Sequence, residues 1–505
     1  MKPIRPLILS AALTFALTAA PTSPAQAQIY DLRGAERVAL ERNLDLRAVS
    51  YSLRASESRL RGGYGLYDPV ARVRLAEGEA RDRSNLYFLA DQTTVKERYR
   101  QFDLSLSQKL PTGAEIVAAF TNGRQDSTPP TAINPAYQSE LRFSLTQPLL
   151  RGFGPTVTEQ VILFAAKDRD VALEDLREQA FVLLGRVRDA YFDVLSLRDN
   201  LVYRETSVDL AEKVYSENRA RVDAGVMAPV EILEAEVGLS QRQRELLDAR
   251  RAYEDALDNL ALLLNSGEAI EVADVTLDEP PLETDEESGL ASALILRPDL
   301  LRRVREIERL DLEARINRNA LLPSLDLDAS YSHKGLAGTY NDNLSDLGTD
   351  ELRNWQLGLT LSYPLGNRSA RNDYRRSQQL IQGSRAQLEG LRDQIRNEIR
   401  AAIRLVEVSR KKIEVSGNGR ALAEEKLRTL LKRREVGLAT TRQVLEGEED
   451  LALARTDQIT SLADYNRAVT AYLRVTGLLL QHEGVALKNG GASSDQESLL
   501  QMSDR

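Results

Sequence analysis

The chain has 505 residues, a formal net charge of -9, 28% charged residues, only 5% aromatic residues and no cysteine. A chain of this length can bury a large core, but dense charge with Ala, Leu, Glu and Arg dominant is the composition of long helices and coiled coils. The acidic balance argues against nucleic acid as a partner, and the missing cysteines exclude a disulfide framework and a lipid acceptor at a processed N-terminus.

The chain opens with MKPIRPLILSAALTFALTAAPTSPAQAQ, in which Lys2 and Arg5 precede an apolar run from Leu7 to Ala20 and then Ala25-x-Ala27. This reads as a secretory signal, residues 1–27, cleaved after Ala27. Processing takes the formal charge from -9 to -11. No later window holds about 18 consecutive apolar residues, so any membrane crossing must be made by strands.

The rest reads as two copies of one plan. Asp45-Leu46 and Asp68-Pro69 fall on Asp299-Leu300 and Leu322-Pro323 at one offset of 254. Further on, Gly225, Leu233, Glu236, Leu239 and Tyr253 fall on Gly437, Leu445, Glu448, Leu451 and Tyr465 at an offset of 212. The expected organisation is a first repeat over 28–264, an acidic connector over 265–289, a second repeat over 290–480 and a polar, disordered tail over 481–505. Each repeat runs helix, strands, long helix, tip, return helix.

In the first repeat, DLRGAERVALERNLDLRAVSYSLRASESRLRGGYGL predicts about 36 residues of continuous helix by propensity and period. Strands follow over 69–148. TVTEQ restarts the helix, with Thr156 and Glu159 at capping-box spacing. Over 156–222, Leu176, Ala180, Leu183, Val187, Ala190, Val194, Leu197 and Leu201 step by threes and fours, a coiled-coil seam. About 65 residues at 1.5 Å each make a rod of about 97 Å. A tip over 223–229 and a return helix from Pro229 to about Leu264 close the repeat. The second repeat places a helix at about Leu290 to Leu321, strands over 323–364, a long helix over 369–435 and a tip over 436–441. Two stacked short helices then match one long helix in length, which predicts an elongated protomer.

The strand segments FDLSLSQKL, LRFSLTQPLL, SLDLDASYSH and WQLGLTLSYP alternate apolar with polar. In the last, Trp355, Leu357, Leu359, Leu361 and Tyr363 share one face, and Gln356, Thr360 and Ser362 the other. That suits a barrel with lipid outside and water inside, while an ordinary half-buried sheet alternates in the same way. The signal and the missing apolar helix favour the barrel. A few strands cannot close one alone, so it must be shared between subunits of a cyclic oligomer.

In order along the chain, LERNLDL, FSLTQPLLRGFG, the tip VDAGVMAPVEILEAE, LRPDL with LLPSLDL, and the tip EVGLATTRQVLEGEEDL resemble the outer membrane efflux proteins typified by TolC. The resemblance covers the whole chain after the signal. It implies a mixed, mainly α fold: a homotrimer with a twelve-stranded β-barrel shared between subunits in the outer membrane and a tunnel of antiparallel coiled-coil helices in the periplasm. It implies a passive exit duct of a tripartite efflux or type I secretion system, docked on a periplasmic adaptor and an inner-membrane transporter of RND, ABC or MFS type. It implies no cofactor.

By the same resemblance, Gly225, Val226, Ala228 and Pro229, with Gly437, Leu438, Ala439 and Thr440, form the tips where adaptor binds. Candidate gate residues follow from the family's habit of placing a carboxylate six residues beyond each tip Gly and another nine beyond the second: six residues on stand Glu231 in the first tip but Gln443 in the second, and nine residues on stand Glu234 and Glu446. Glu231 and Glu446 are expected to line the closed end, with Arg434 as their cation; a solvated helix face is the competing reading. The family type has Tyr three residues before the second Gly and Arg two after it, where this chain has Arg434 and Ala439, so that gate is not reproduced.

The first repeat carries an extra stretch, FDLSLSQKLPTGAEIVAAFTNG, which predicts a hairpin around Pro111-Thr112-Gly113. If it joins the wall, a trimer has eighteen strands; if not, twelve. RQDSTPPTAINPAYQ reads as an exposed extracellular loop. Two histidines, His333 and His482, make no metal cluster, neither a GxSxG elbow nor a P-loop occurs, and the acids Glu448-Glu449-Asp450 read as solvated. The competing class is a periplasmic coiled-coil structural protein without a pore; an enzyme on an elongated scaffold is a third, with no residue to nominate.

Overall fold

The structure, a computed structural model, describes residues 28–83, 94–128, 131–487 and 500–502. The expected signal segment lies outside the described residues. In chain order the elements are β1 (Gln28–Tyr30), α1 (Leu32–Arg42), α2 (Leu44–Gly63), the strands β2 (Val70–Arg83), β3 (Thr94–Lys109), β4 (Glu115–Thr128) and β5 (Ala136–Pro148), then α3 (Pro155–Thr158), α4 (Gln160–Asp223) and α5 (Val230–Leu264). After these come β6 (Ile270–Val272), α6 (Glu286–Leu296), α7 (Pro298–Asn319), β7 (Ser324–Ala337), α8 (Tyr340–Asp346), β8 (Arg353–Ser362), α9 (Arg368–Glu435), α10 (Thr441–Val475), α11 (Leu479–His482), β9 (Val485–Leu487) and β10 (Leu500–Met502). No helix among the described residues is long and apolar enough to cross a membrane.

Contacts divide the chain into two units, and neither follows a sequence repeat. One holds the described residues up to Asn43 with Arg186–Pro280 and Ser409–Arg467; the other holds Leu44–Gly185, Pro281–Val408 and the remainder from Ala468. Each unit draws on both halves of the sequence.

In the first unit, β1 pairs in parallel with β6, so the acidic connector expected over 265–289 contains a strand; its last residues, from Glu286, already belong to α6 in the second unit. Its interior includes Val187, Ala190 and Val194 of the expected seam, together with Tyr191 and Leu195. Leu197 and Leu201, expected in the same seam, are half-buried. A second cluster joins Leu427, Val444 and Leu451 with Leu210, Leu430 and Leu431.

The second unit has its helical core at Ala293, Leu300, Ile395 and Ile399, packed by Leu290, Val304, Leu388 and Ile403. Leu176, Ala180 and Leu183 of the seam are buried in this unit.

Several expected boundaries move. The opening helix predicted as continuous breaks at Asn43, where the backbone turns extended and the side-chain amide donates to Leu263 O at 3.1 Å, satisfying a carbonyl at the end of α5. The second repeat's opening helix breaks at Arg297, 254 residues on, before Pro298 at the first position of α7. Arg297 fills that break: it makes a forked pair with Asp299, at 3.0 and 2.7 Å, and bonds Glu398 at 2.6 Å.

The expected Thr156–Glu159 capping box does not form. Gly154, at φ 91°, precedes Pro155 at the start of α3, and the Glu159 carboxylate accepts instead from the Tyr67 hydroxyl at 2.7 Å. Pro pre-sets the first helical φ and needs no donor partner, so it outcompetes the capping box. The tail expected to be disordered from 481 carries the end of α11 and an antiparallel pair, β9 with β10.

All six long strands lie in one antiparallel sheet, in the order β2-β3-β4-β5-β7-β8. The extra hairpin, β3 and β4, is therefore inside the sheet, paired from Lys96↔Thr128 to Lys109↔Glu115. Its strands run further than the sequence suggested: β4 continues to Thr128 and consumes much of the expected extracellular loop, whose remaining end is pinned by Asn134, bonded both ways to the Ser127 backbone at 3.1 and 3.0 Å. Residues 129–130 of that loop lie outside the described residues.

Register decides what the sheet presents. Opposed residues in an antiparallel ladder share a face, and the row Trp355↔Tyr331↔Phe143↔Ala118↔Leu106↔Ala71 crosses all six strands. Rows beside it place Leu141, Phe120, Leu104 and Val73 on that face. The other face carries Arg72, Asp103, Arg142, Ser330, Asp328 and Thr360, with Thr146 donating to Asp328 at 3.0 Å. The apolar face is bare: Leu75 on β2 is 77% exposed and Trp355 on β8 74%. Apolar residues from Trp355 to Tyr363 span nine positions, within the about 9–11 that a tilted strand needs to cross a bilayer.

Candidate functional site at the helical tips

Two helical hairpins end in the first unit, and their turns are built alike. After α4, Gly225 takes φ +77°, with its N–H donating to Val222 O at 2.8 Å and the next N–H, of Val226, donating to Arg221 O at 3.0 Å. After α9, Gly437 takes φ +74°, with Gly437 N to Arg434 O at 3.0 Å and Leu438 N to Arg433 O at 2.8 Å. Both are Schellman caps, which need a left-handed residue just past the helix, and only Gly takes that conformation without steric cost.

The restarts differ. In the first tip Ala228 and Pro229 lead into α5, where the Pro229 ring supplies the helical φ and no side chain caps the start. In the second, Thr440 and Gln443 form a reciprocal capping box: Gln443 N donates to Thr440 Oγ1 at 3.3 Å, and Thr440 N donates to Gln443 Oε1 at 3.1 Å. Gln443 therefore has a structural employment at the helix start. Val226, Leu438 and Val436 stand out at the turns as exposed apolar side chains, and Ala439 joins Leu438 to the capping Thr440.

The expected cation of the gate is buried. Arg434 Nη2 donates to Glu217 Oε2 at 3.0 Å and to Asn218 Oδ1 at 3.0 Å, so its partners lie on α4, and it pairs with neither Glu231 nor Glu446. Those two carboxylates go elsewhere. Glu446 accepts from Arg442 at 3.0 Å, one helical turn away on its own exposed face. Glu231 is half-buried, with Oε2 enclosed and without a hydrogen-bond partner. Glu234 is half-buried on the wall of a cleft between α5 and α10.

Two buried polar centres escaped the sequence reading. Asn218, fully enclosed, bonds Arg434 of α9 through Oδ1, and through Nδ2 reaches Thr441 Oγ1 of α10 at 2.9 Å and Glu231 O of α5 at 3.1 Å. One amide on α4 thus touches all three other helices. The second is Glu448, read from its acidic neighbours as solvated but 98% buried: it accepts from Arg242 Nε at 3.1 Å and from Ser207 Oγ at 2.9 Å. Burial pushes the Glu448 carboxyl above the usual glutamate range, against the opposing pull of Arg242 and Ser207, while Glu245 nearby adds to the rise.

Arg242 also donates to Gly238 O and Leu445 O at 3.1 Å each, which spends its guanidinium on α5 and α10 together. A Cβ on Gly238 would lie 2.9 Å from the Leu445 Cδ1 methyl, so a larger residue there would make that side chain shift. Above them lies the cleft of about 570 Å³, with Leu233, Val237 and Leu453 as apolar walls and Glu234, Glu245, Glu446 and Glu449 around it. No group of three or more metal-ligating side chains is placed to hold an ion among the described residues.

The sequence profile of the outer membrane efflux protein family matches residues 161–266 and 289–478, more than half of the chain. The chain belongs to the outer membrane efflux protein family. Its relatives include the outer membrane efflux protein BepC of Brucella suis, 25% identical over 312 residues; the match covers 60% of this chain and 65% of BepC. Among solved structures, a membrane protein from Pseudomonas aeruginosa superposes with a TM-score of 0.66 at 19% identity, covering 93% of this chain and 100% of that one. The Campylobacter jejuni CmeC outer membrane channel superposes with a TM-score of 0.63 at 12% identity, covering 95% and 94%. At such identities the structures speak for the fold, which is that of TolC-like outer membrane channels.

Proposed function

We propose that this chain is one third of an outer membrane exit duct: three copies close a β-barrel in the membrane and a tunnel of coiled-coil helices in the periplasm. Substrates handed over by an inner-membrane transporter through a periplasmic adaptor leave passively through it. The tips at Gly225 and Gly437 meet the adaptor, and the layer of Asn218, Arg434, Glu231 and Thr441 holds the periplasmic mouth shut. The two-repeat architecture arises by tandem duplication, with β3 and β4 as the first copy's insertion.

The observation that carries this reading is the six-stranded sheet, with its bare apolar face and two open edges at β2 and β8. Open edges are not tolerated in lipid, so the edges must find partners. An even number of strands sets β8 of one copy antiparallel to β2 of the next, and three copies close eighteen strands. At about 4.8 Å between strands and a tilt of about 40°, that ring is about 36 Å across, against about 24 Å for twelve strands.

Purified protein in a planar bilayer tests it. Trimers are expected to give channels, and deleting the β3–β4 hairpin leaves β2 beside β5 with correct polarity, so the variant's open conductance should fall toward that of a twelve-stranded ring. Properly trimeric protein that fractionates as a soluble periplasmic rod and forms no channels would overturn the duct in favour of a structural coiled coil.

A further inference from the structure

We propose that the outward face of β2, β3 and β4, just beyond the apolar band, binds the phosphorylated headgroups of the lipids that surround the barrel. The inference rests on the duct reading, because it takes the apolar face of the sheet as the lipid face.

On that face the apolar residues end at Leu75 and Phe102, and the register continues with charge. Glu77 faces Arg100, which faces Arg124; Glu79 faces Arg98; Arg81 faces Lys96. These residues sit at the end of the strands away from α2, since β2 leaves that helix at Val70 and reaches Arg81 last. Five cations share the patch with three carboxylates, Glu77, Glu79 and Asp126, in a chain whose formal charge is -9.

Glu79 alone serves three of the cations: Arg81 at 2.7 Å, Arg98 at 2.8 Å and Lys96 at 3.1 Å. Arg100 lies 2.9 Å from Glu77, and Arg124 3.2 Å from Asp126. One carboxylate cannot satisfy three cationic heads with thirteen N–H donors between them. Arg81, Arg98 and Arg100 keep about two thirds of their side chains exposed, 66%, 63% and 66%.

The opposite face separates a lipid role from simple solubility. Over the same rows it presents Asp82, Glu97, Gln101 and Gln125 and no Lys or Arg. Solvation alone would be served by either sign on either face. Here the cations are confined to the side that continues the apolar band, which is where phosphate oxygens of neighbouring headgroups would stand. Guanidinium groups recognise phosphate by paired N–H donors, and the clustered charge attracts an anionic surface within a Debye length.

The test reconstitutes wild type, Arg81→Gln/Arg98→Gln/Arg100→Gln, and an inner-face control, Arg72→Gln/Arg142→Gln, into phosphatidylcholine vesicles containing either bisphosphorylated lipid A or its dephosphorylated form. Lipid retained by the extracted trimer is read by native mass spectrometry, and insertion by heat-modifiable migration. Wild type and the inner-face control should retain the phosphorylated lipid about tenfold over the dephosphorylated one, falling as salt is raised, and the triple variant should lose the preference. Wild type that inserts but retains both lipids equally, or a triple variant that inserts and keeps the preference, overturns the proposal and leaves the duct standing. Wild type that inserts into neither vesicle overturns both. Should the triple variant fail to assemble, the wild-type comparison of the two lipids with its salt dependence decides alone.

Discussion

Asn218 Oδ1 accepts from Arg434 Nη2 at 3.0 Å inside a packed layer of four helices, with both groups almost fully enclosed. Arg434 Nε already lacks a partner there, so the bonds from Nη2 to Asn218 and Glu217 hold a buried cation, and Asn218 is also the bridge to Thr441 and to the Glu231 carbonyl.

Removing the amide should therefore cost more than one hydrogen bond. Asn218→Ala leaves Arg434 with the exposed Glu217 alone, strips Thr441 and the Glu231 carbonyl of their donor, and is expected to destabilise the hairpins by about 2–4 kcal/mol. If this layer closes the periplasmic mouth, the variant's single-channel conductance should rise above wild type. Unchanged conductance with a lowered melting temperature would confine the layer to stability and move the closure elsewhere.

The two tip glycines make a narrower test. Gly225→Ala and Gly437→Ala place a Cβ on residues at φ +77° and +74°, where an L side chain is strained, although no atom lies within 4 Å of either new Cβ. The whole cost is then backbone strain, about 1–2 kcal/mol each. Because the two sites share no neighbours within that distance, the double variant should show close to the sum in thermal melts followed by circular dichroism. A loss much larger than the sum would mean that the tips are coupled.

These centres show where sequence stops being informative. The seam at Leu176, Ala180, Leu183, Val187, Ala190 and Val194 was legible because apolar period reports burial directly. The sheet faces were legible for the same reason at period two, and the tip glycines because so few residues tolerate φ > 0. Asn218 was not, since an Asn among charged helical residues looks like any solvated position. Glu448 was hidden in a run of acids, and its burial depends on Arg242 and Ser207, 206 and 241 residues away. Two features did leave a signal: Pro298 marked the break at Arg297, and Thr440-x-x-Gln443 has capping-box spacing, the pattern taken at Thr156 instead.

The sheet's two faces predict opposite responses to the same charge. If the apolar face is the lipid face proposed above, Leu359→Arg puts a cation in the middle of its apolar band and is expected to cost about 2–4 kcal/mol of stability. Thr360→Arg, one residue on, points to the polar face near Asp328, which Thr360 Oγ1 already approaches at 3.4 Å, and should cost little. Heat-modifiable migration of the two variants in outer membrane fractions measures the difference. Equal effects would mean that the apolar face meets protein or water instead of lipid.

Glu448 gives the pH test, and its sign is set by burial. Its folded pKa lies above the ordinary glutamate value of 4.5, with desolvation the largest cause; Arg242 and Ser207 pull it down, and Glu245 adds to the rise. The folded chain therefore holds this proton more tightly than the unfolded one. The group's contribution to stability is fully present below 4.5 and is lost as pH climbs through the raised folded value. Glu448→Gln stays neutral throughout while keeping an acceptor oxygen for Arg242. The melting temperature of wild type minus that of the variant should therefore be greatest at the acid end and decline across this window. If the difference grows toward neutral pH instead, the attraction of Arg242 outweighs burial, and the buried pair is held together by its charges.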